Sequence, residues 1–99
     1  MGVSLFNIKI LFLSLLGDII GREEISLSIE ERSTIRDVLK QLVKTFGKDF
    51  ENTIFKSPDE ISKYIILSLN GKDIRSFDNL NTLLHEGDEI ILLPAIAGG

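Results

Sequence analysis

Glu24-Ile25-Ser26-Leu27-Ser28-Ile29-Glu30 runs through Glu31-Arg32-Ser33 directly into Thr34-Ile35-Arg36-Asp37-Val38-Leu39-Lys40-Gln41-Leu42-Val43-Lys44-Thr45-Phe46-Gly47. The first segment alternates with period two, Ile25, Leu27 and Ile29 to one side and Ser26 and Ser28 to the other, which predicts a half-buried strand. The second changes period. Ile35, Val38, Leu39, Leu42, Val43 and Phe46 follow the i, i+3, i+4, i+7 spacing of an amphipathic helix, with Arg36, Lys40 and Lys44 left to water. Thr34 occupies the N-cap, and Asp37 three residues later completes a capping box. Gly47 supplies the stop.

Outward from this segment the pattern stays strand-like. Asn7 to Ser14 alternates, with Ile8, Ile10 and Phe12 on one face and Lys9, Leu11 and Leu13 on the other. Gly17 and Gly21 bracket the connection to Glu24, so a hairpin with a loose turn is expected. Residues 48–63 carry no sustained period, and Ser57-Pro58-Asp59-Glu60 reads as a short helical start in a variable loop. Tyr64 to Leu69 is a nearly continuous apolar run closed by Asn70-Gly71, the signature of a buried strand and its turn. Ile74 fits a short edge strand, and Asn79 to Leu84 a single helical turn. Gly87-Asp88 starts a last strand, Glu89 to Leu93, ended by Pro94. The order β-β-α-β-(β)-β describes an α+β domain of the β-grasp layout, a mixed sheet of four to five strands packed on one main helix. Residues 1–6 read as an extension, 7–94 as the domain and 95–99 as a C-terminal tail.

Composition narrows the function. The 99 residues allow one domain and one core. The chain has no cysteine, which excludes disulfides, thiolate metal sites and a cysteine nucleophile and fits a reducing cytoplasm. A formal charge of -4 and a pI near 4.9 disfavour nucleic acid and anionic membrane as partners. The apolar stretch Ile8 to Leu16 is far short of the roughly 20 residues that span a bilayer. Lys9 lies inside that stretch, not ahead of it as in a signal peptide. Both alanines, Ala95 and Ala97, and two of the eight glycines, Gly98 and Gly99, fall in the last five residues.

Catalytic constellations are scarce. His85 is the only histidine and has no partner at metal-ligand spacing, so it reads as an exposed turn residue. Glu23-Glu24 and Glu30-Glu31 flank a strand and read as solvated. No dinucleotide fingerprint, Walker loop or nucleophile elbow is present, and no metal site is expected. What remains is Pro94-Ala95-Ile96-Ala97-Gly98-Gly99. At about 3.3 Å per residue this arm reaches roughly 20 Å beyond the last strand, and glycine without a Cβ enters channels that exclude side chains. The Gly99 carboxylate is a poor electrophile, so acyl chemistry there requires activation, most simply adenylation with ATP. Alternation also places Leu11, Leu13, Ile91 and Leu93 opposite Ile10, Phe12, Ile90 and Leu92. If the helix covers the second set, the first is an exposed apolar patch beside the tail; alternatively residues 48–63 fold over it.

Asn7-Ile8-Lys9-Ile10-Leu11-Phe12, Asn70-Gly71, Glu86-Gly87-Asp88-Glu89 and Leu93-Pro94-Ala95-Ile96-Ala97-Gly98-Gly99 resemble the MoaD/ThiS family of ubiquitin-like sulfur carriers, nearest to its MoaD branch. The likeness covers residues 7–99. Relatives commonly carry Pro-Pro before Val-x-Gly-Gly, where this chain has Ala95 and Ile96. The resemblance implies a chain that catalyses nothing alone and binds no cofactor itself. An E1-like adenylyltransferase of the MoeB type would adenylate Gly99 with ATP, and a sulfur donor would convert it to a thiocarboxylate. The tail would then thread into the large subunit of molybdopterin synthase, of the MoaE type, and pass its sulfur to the pterin precursor of molybdenum cofactor. A free monomer would form a heterotetramer with that subunit. The resemblance places Leu13, Leu93 and Ile74 among the partner contacts. Conjugation of Gly99 to lysines, as in archaeal ubiquitin-like modifiers, and sulfur carriage for thiamin or tRNA thiolation use the same tail.

Overall fold

A computed structural model describes residues 4–95 of the chain. Its strands are β1 (Leu5–Phe12), β2 (Glu24–Glu30), β3 (Phe55–Ser57), β4 (Glu60–Ile61), β5 (Ile65–Leu69), β6 (Lys72–Asp73) and β7 (Glu89–Pro94). Its helices are α1 (Leu15–Ile20), α2 (Ile35–Phe46) and α3 (Lys48–Ile54). Five strands form one sheet in the order β2-β1-β7-β5-β6, and β3 pairs with β4 separately. β1 and β7 run parallel in the middle of the sheet, while β1–β2 and β5–β7 are antiparallel. This is the β-grasp arrangement expected from the pattern.

The helix α2 starts where the capping box requires. The Asp37 N–H donates to Thr34 Oγ1 at 3.3 Å, and the Thr34 N–H returns a bond to Asp37 Oδ2 at 2.9 Å. It stops at Gly47, whose φ of 87° and ψ of −161° suit glycine alone. Ile35, Val38, Leu39 and Leu42 are buried against Ile8, Ile10, Ile90 and Leu92 of the sheet.

Four expectations need correction. The β1–β2 connection is not a loose turn: it contains α1, which brings Leu16 into the core at 2% exposure. A Cβ on Gly17 would lie 3.1 Å from the Phe12 carbonyl oxygen, a tight contact that favours glycine at this close approach. β1 begins at Leu5, with Leu5 opposite Glu30 and Phe6 opposite Ile29, so the domain starts inside the stretch read as an extension. Residues 48–63 are ordered on the helical side. Phe50 and Ile54 of α3 are buried, and Phe50 and Phe46 meet the Phe12 ring edge-on at 6.4 and 6.0 Å. Ser57-Pro58-Asp59-Glu60 joins β3 to β4 and is not helical.

The fourth correction concerns Ile74. The edge strand β6 ends one residue earlier, and Ile74 opens a 3-10 turn, Ile74–Ser76, with only 5% of its surface exposed. Asp73 caps that turn by accepting the Arg75 N–H at 2.8 Å and the guanidinium at 2.7 Å, which directs the Ile74 side chain inwards. Ile74 therefore belongs to the core and not to an exposed patch. Truncation to alanine should cost about 2–4 kcal/mol in urea unfolding, whereas Leu13→Ala on the surface should stay within about 1 kcal/mol.

Candidate functional site: the tail root and the outer face of the sheet

Alternation and register together decide which residues surround the exit of the tail. Leu11 sits opposite Ile91 across β1–β7, and Leu93 sits opposite Ile66 across β7–β5. The Leu13 N–H donates to the Leu92 carbonyl at 2.9 Å, which brings Leu13 beside Leu93. Leu11, Ile66, Ile91 and Leu93 are each partly exposed, and Leu13 is 40% exposed. The face predicted from alternation is thus assembled from all four of its residues, Leu11, Leu13, Ile91 and Leu93; Ile74, which only the resemblance placed among the partner contacts, is buried elsewhere. Phe50 and Ile54 of residues 48–63 pack into the core with Ile10 and Phe12, on the side of the sheet opposite this row.

Sequence reasoning missed three contributors. Ile66 belongs to a run that is apolar at nearly every position, so periodicity could not assign it a face. Leu15 and Ile19, one turn apart on α1, are 65% and 57% exposed. Their i, i+4 spacing was visible, but it sat in a segment read as a turn. Ser14, at φ 57° and ψ −136°, turns the chain from β1 into α1. The apolar surface therefore continues from the sheet onto a short helix next to the end of β7.

Pro94 lies within the strand, as its final residue opposite Ile65, where a missing N–H costs little. Pairing persists one step further, since the Ala95 N–H donates to the Tyr64 carbonyl at 2.7 Å. The tail is thus held to its root at Ala95, on the same face as Leu93 by alternation. Ile96, Ala97, Gly98 and Gly99 lie outside the described residues.

Polar groups near the site are structural. Asn70 donates to Asp88 Oδ1 at 2.9 Å and accepts from the Glu89 N–H at 2.9 Å, tying the β5 turn to the start of β7. The His85 side chain is 75% exposed, as expected for a turn residue. Among the described residues no group of three His, Asp or Glu side chains could hold a metal ion, and no helix is long and apolar enough to cross a membrane. Beside Ala95 a groove of about 540 Å³ opens along the free edge of β5. Its two arginines are paired: Arg36 with Asp59 at 2.8 Å and Arg75 with Asp73 at 2.7 Å. Side-chain and backbone hydrogen bonds from Arg75 hold the Asp73 carboxyl below its ordinary 3.8. A lowered folded value means the pair contributes fully above that ordinary value and is lost as pH falls through the lower one. An NMR titration should place Asp73 below 3.8 in the native chain and move it upward in Arg75→Gln.

The residue pattern of the ThiS family matches residues 10–99, through the Gly-Gly end. A putative sulfur carrier protein of Archaeoglobus fulgidus is 35% identical over 69 residues, covering 70% of this chain and 77% of that one. Small archaeal modifier protein 3 of Haloferax volcanii is 23% identical over 97 residues, 94% of this chain and 99% of its own. The solution structure of small archaeal modifier protein 1 from Methanosarcina acetivorans superposes with a TM-score of 0.79 at 30% identity, covering 97% and 99% of the two chains. If the exposed row is a docking surface and not core, Leu15→Ser with Ile19→Ser should change stability by less than about 1 kcal/mol. The same pair should shorten retention on a hydrophobic column.

Proposed function

We propose, for a chain that belongs to the ThiS family of sulfur carriers and ubiquitin-like modifiers, that Gly99 is the carried reactant and that molybdopterin synthase is its destination. The observation that supports this reading is a strand ending at Pro94, beside a partly exposed apolar row, followed in sequence by Ala95-Ile96-Ala97-Gly98-Gly99. The Gly99 carboxylate attacks the α-phosphorus of ATP in an E1-like partner and expels pyrophosphate. The resulting acyl-adenylate is attacked by a sulfide-level donor, AMP leaves, and a thiocarboxylate remains. Small residues at 95, 97, 98 and 99 let this terminus thread a channel in the large subunit of the synthase, where its sulfur passes to the pterin precursor. Leu11, Leu13, Ile91 and Leu93 supply the docking face. The cytoplasm provides ATP and the reducing conditions that a thiocarboxylate needs.

A second reading is favoured by the likeness to the archaeal modifiers. The same acyl-adenylate can be intercepted by a lysine amine, giving an isopeptide bond at Gly99 with loss of AMP. The incoming nucleophile alone separates the two outcomes. Intact mass measured on protein from its native host should show one terminal oxygen replaced by sulfur, a gain of about 16 Da. Deleting Gly99 should abolish molybdopterin formation with the partner enzymes. Sulfur transfer retained by that deletion would defeat the proposal, and Gly-Gly remnants on lysines without thiocarboxylate would favour conjugation.

A further inference from the structure

The outer edge of β2 is the second open element of the sheet. β2 is the terminal strand, so β1 pairs one side of it only. Two bonds fix its phase: Phe12 N–H to Glu23 O at 2.8 Å and Glu31 N–H to Ser4 O at 3.0 Å. With Ile10 opposite Ile25 and Ile8 opposite Leu27, antiparallel alternation assigns the bonds with β1 to Ile25, Leu27 and Ile29. Glu24, Ser26 and Ser28 accordingly turn their backbone groups away from the sheet. Among the described residues the outward groups of Ser26 and Ser28 have no backbone partner. The open edge ends at Glu30, whose carbonyl accepts the Ser33 N–H at 3.1 Å.

Side chains give this edge a chemical preference. Ile25 and Leu27 remain half-buried at the rim facing α2, and a groove of about 470 Å³ passes Ser28, Glu30, Glu31, Asp37 and Gln41. Glutamates stand at both ends. Among the described residues only Glu24 of these forms an ion pair, with Lys9 at 3.8 Å, while Arg32 lines the groove beside Glu30 and Glu31. Moreover, Arg22-Glu23-Glu24-Ile25-Ser26-Leu27-Ser28-Ile29-Glu30-Glu31-Arg32 reads identically in both directions about Leu27. A second copy pairing here antiparallel would set Glu24 against Glu30; pairing parallel in register would set each glutamate against itself. Like charges directly opposite are destabilising, so the edge resists its own kind.

We propose that β2 accepts an added strand from another protein, an extended segment with apolar residues at alternate positions and a lysine or arginine at each end. Main-chain bonds to Glu24, Ser26 and Ser28 hold it, its apolar side chains extend the Ile25–Leu27–Ile29 row, and its cations meet Glu24 and Glu30. The palindrome makes the side-chain match the same for either strand direction. β1 separates this edge from β7, so the tail root stays open while the strand is bound. The inference stands apart from the destination of the sulfur.

The test titrates the labelled full chain with Lys-Val-Thr-Val-Thr-Val-Lys. Amide shifts should concentrate on Glu24–Glu30, with slowed exchange at Ser26 and Ser28. The Glu-flanked analogue should bind up to about tenfold more weakly. Ser26→Pro removes one outward donor without touching the β1 ladder and should abolish the slowed exchange at Ser28 along with binding. Glu30→Lys keeps the edge intact and should shift preference towards the Glu-flanked peptide. Saturation of shifts at Leu11, Ile91 and Leu93 instead, unchanged binding by the proline variant, no saturable shift at millimolar peptide, or an edge-to-edge dimer of the free chain would each overturn the assignment.

Discussion

The parallel contact between β1 and β7 is the constraint on which the rest of the molecule depends. It sets Ile10 against Ile90 and Phe12 against Leu92, four side chains exposed by 1% or less. Each such side chain contributes about 1.5–3 kcal/mol on burial. The same register forces Leu11 against Ile91 onto the other face, because successive strand residues point to opposite sides. A slip of β7 by one residue would exchange core and surface along that whole strand. Burial on one face and a partly exposed apolar row on the other are therefore one choice of register, and the exit of the tail at the end of β7 follows from it.

The legible parts of this fold were the ones decided locally. Thr34 and Asp37 close a hydrogen-bonded ring within four residues, so α2 could be read with its start and stop. Strands β1 and β2 carry period-two alternation, and their inner faces follow it, whereas β7 is apolar at four successive positions and takes its inner face, Ile90 and Leu92, from its register with β1. The parts that were not legible depend on contacts distant in sequence. α1 is six residues long with a glycine inside it, a poor helix by propensity. It forms because Leu16 has a place in the core and Gly17 can approach the Phe12 carbonyl. α3 offers only Phe50 and Ile54 as a pattern, and its position comes from the aromatic contacts with Phe12 and Phe46. Ile74 was misplaced because a buried isoleucine in a 3-10 turn and an isoleucine on an edge strand look alike until the Asp73–Arg75 cap is seen.

For the candidate site, the tail and the row Leu11, Leu13, Ile91 and Leu93 were legible because both are repeats of simple rules: small residues after a proline, and alternation. Ile66 was not, since an all-apolar strand has no period to read. Its face is set by Leu93, a residue on another strand. The confinement of both alanines and two glycines to the last five residues has a structural counterpart. The body places apolar residues on both sides of the sheet, and at its end the Ala95 N–H still bonds the Tyr64 carbonyl.

Separating the two sides of the sheet from its two edges also separates tasks in space. On the proposed reading, chemistry at Gly99 draws on a partner's active site, and that partner would grip the domain near β7 and α1. That grip occupies the face and the end of the sheet but leaves β2 untouched, because β1 lies between. A strand added along β2 would add affinity through backbone bonds, which are indifferent to side-chain identity, and gain its selectivity from the glutamate pairs. Such an arrangement would let one small domain be held at β2 by one protein while the Gly99 carboxylate stays open to another.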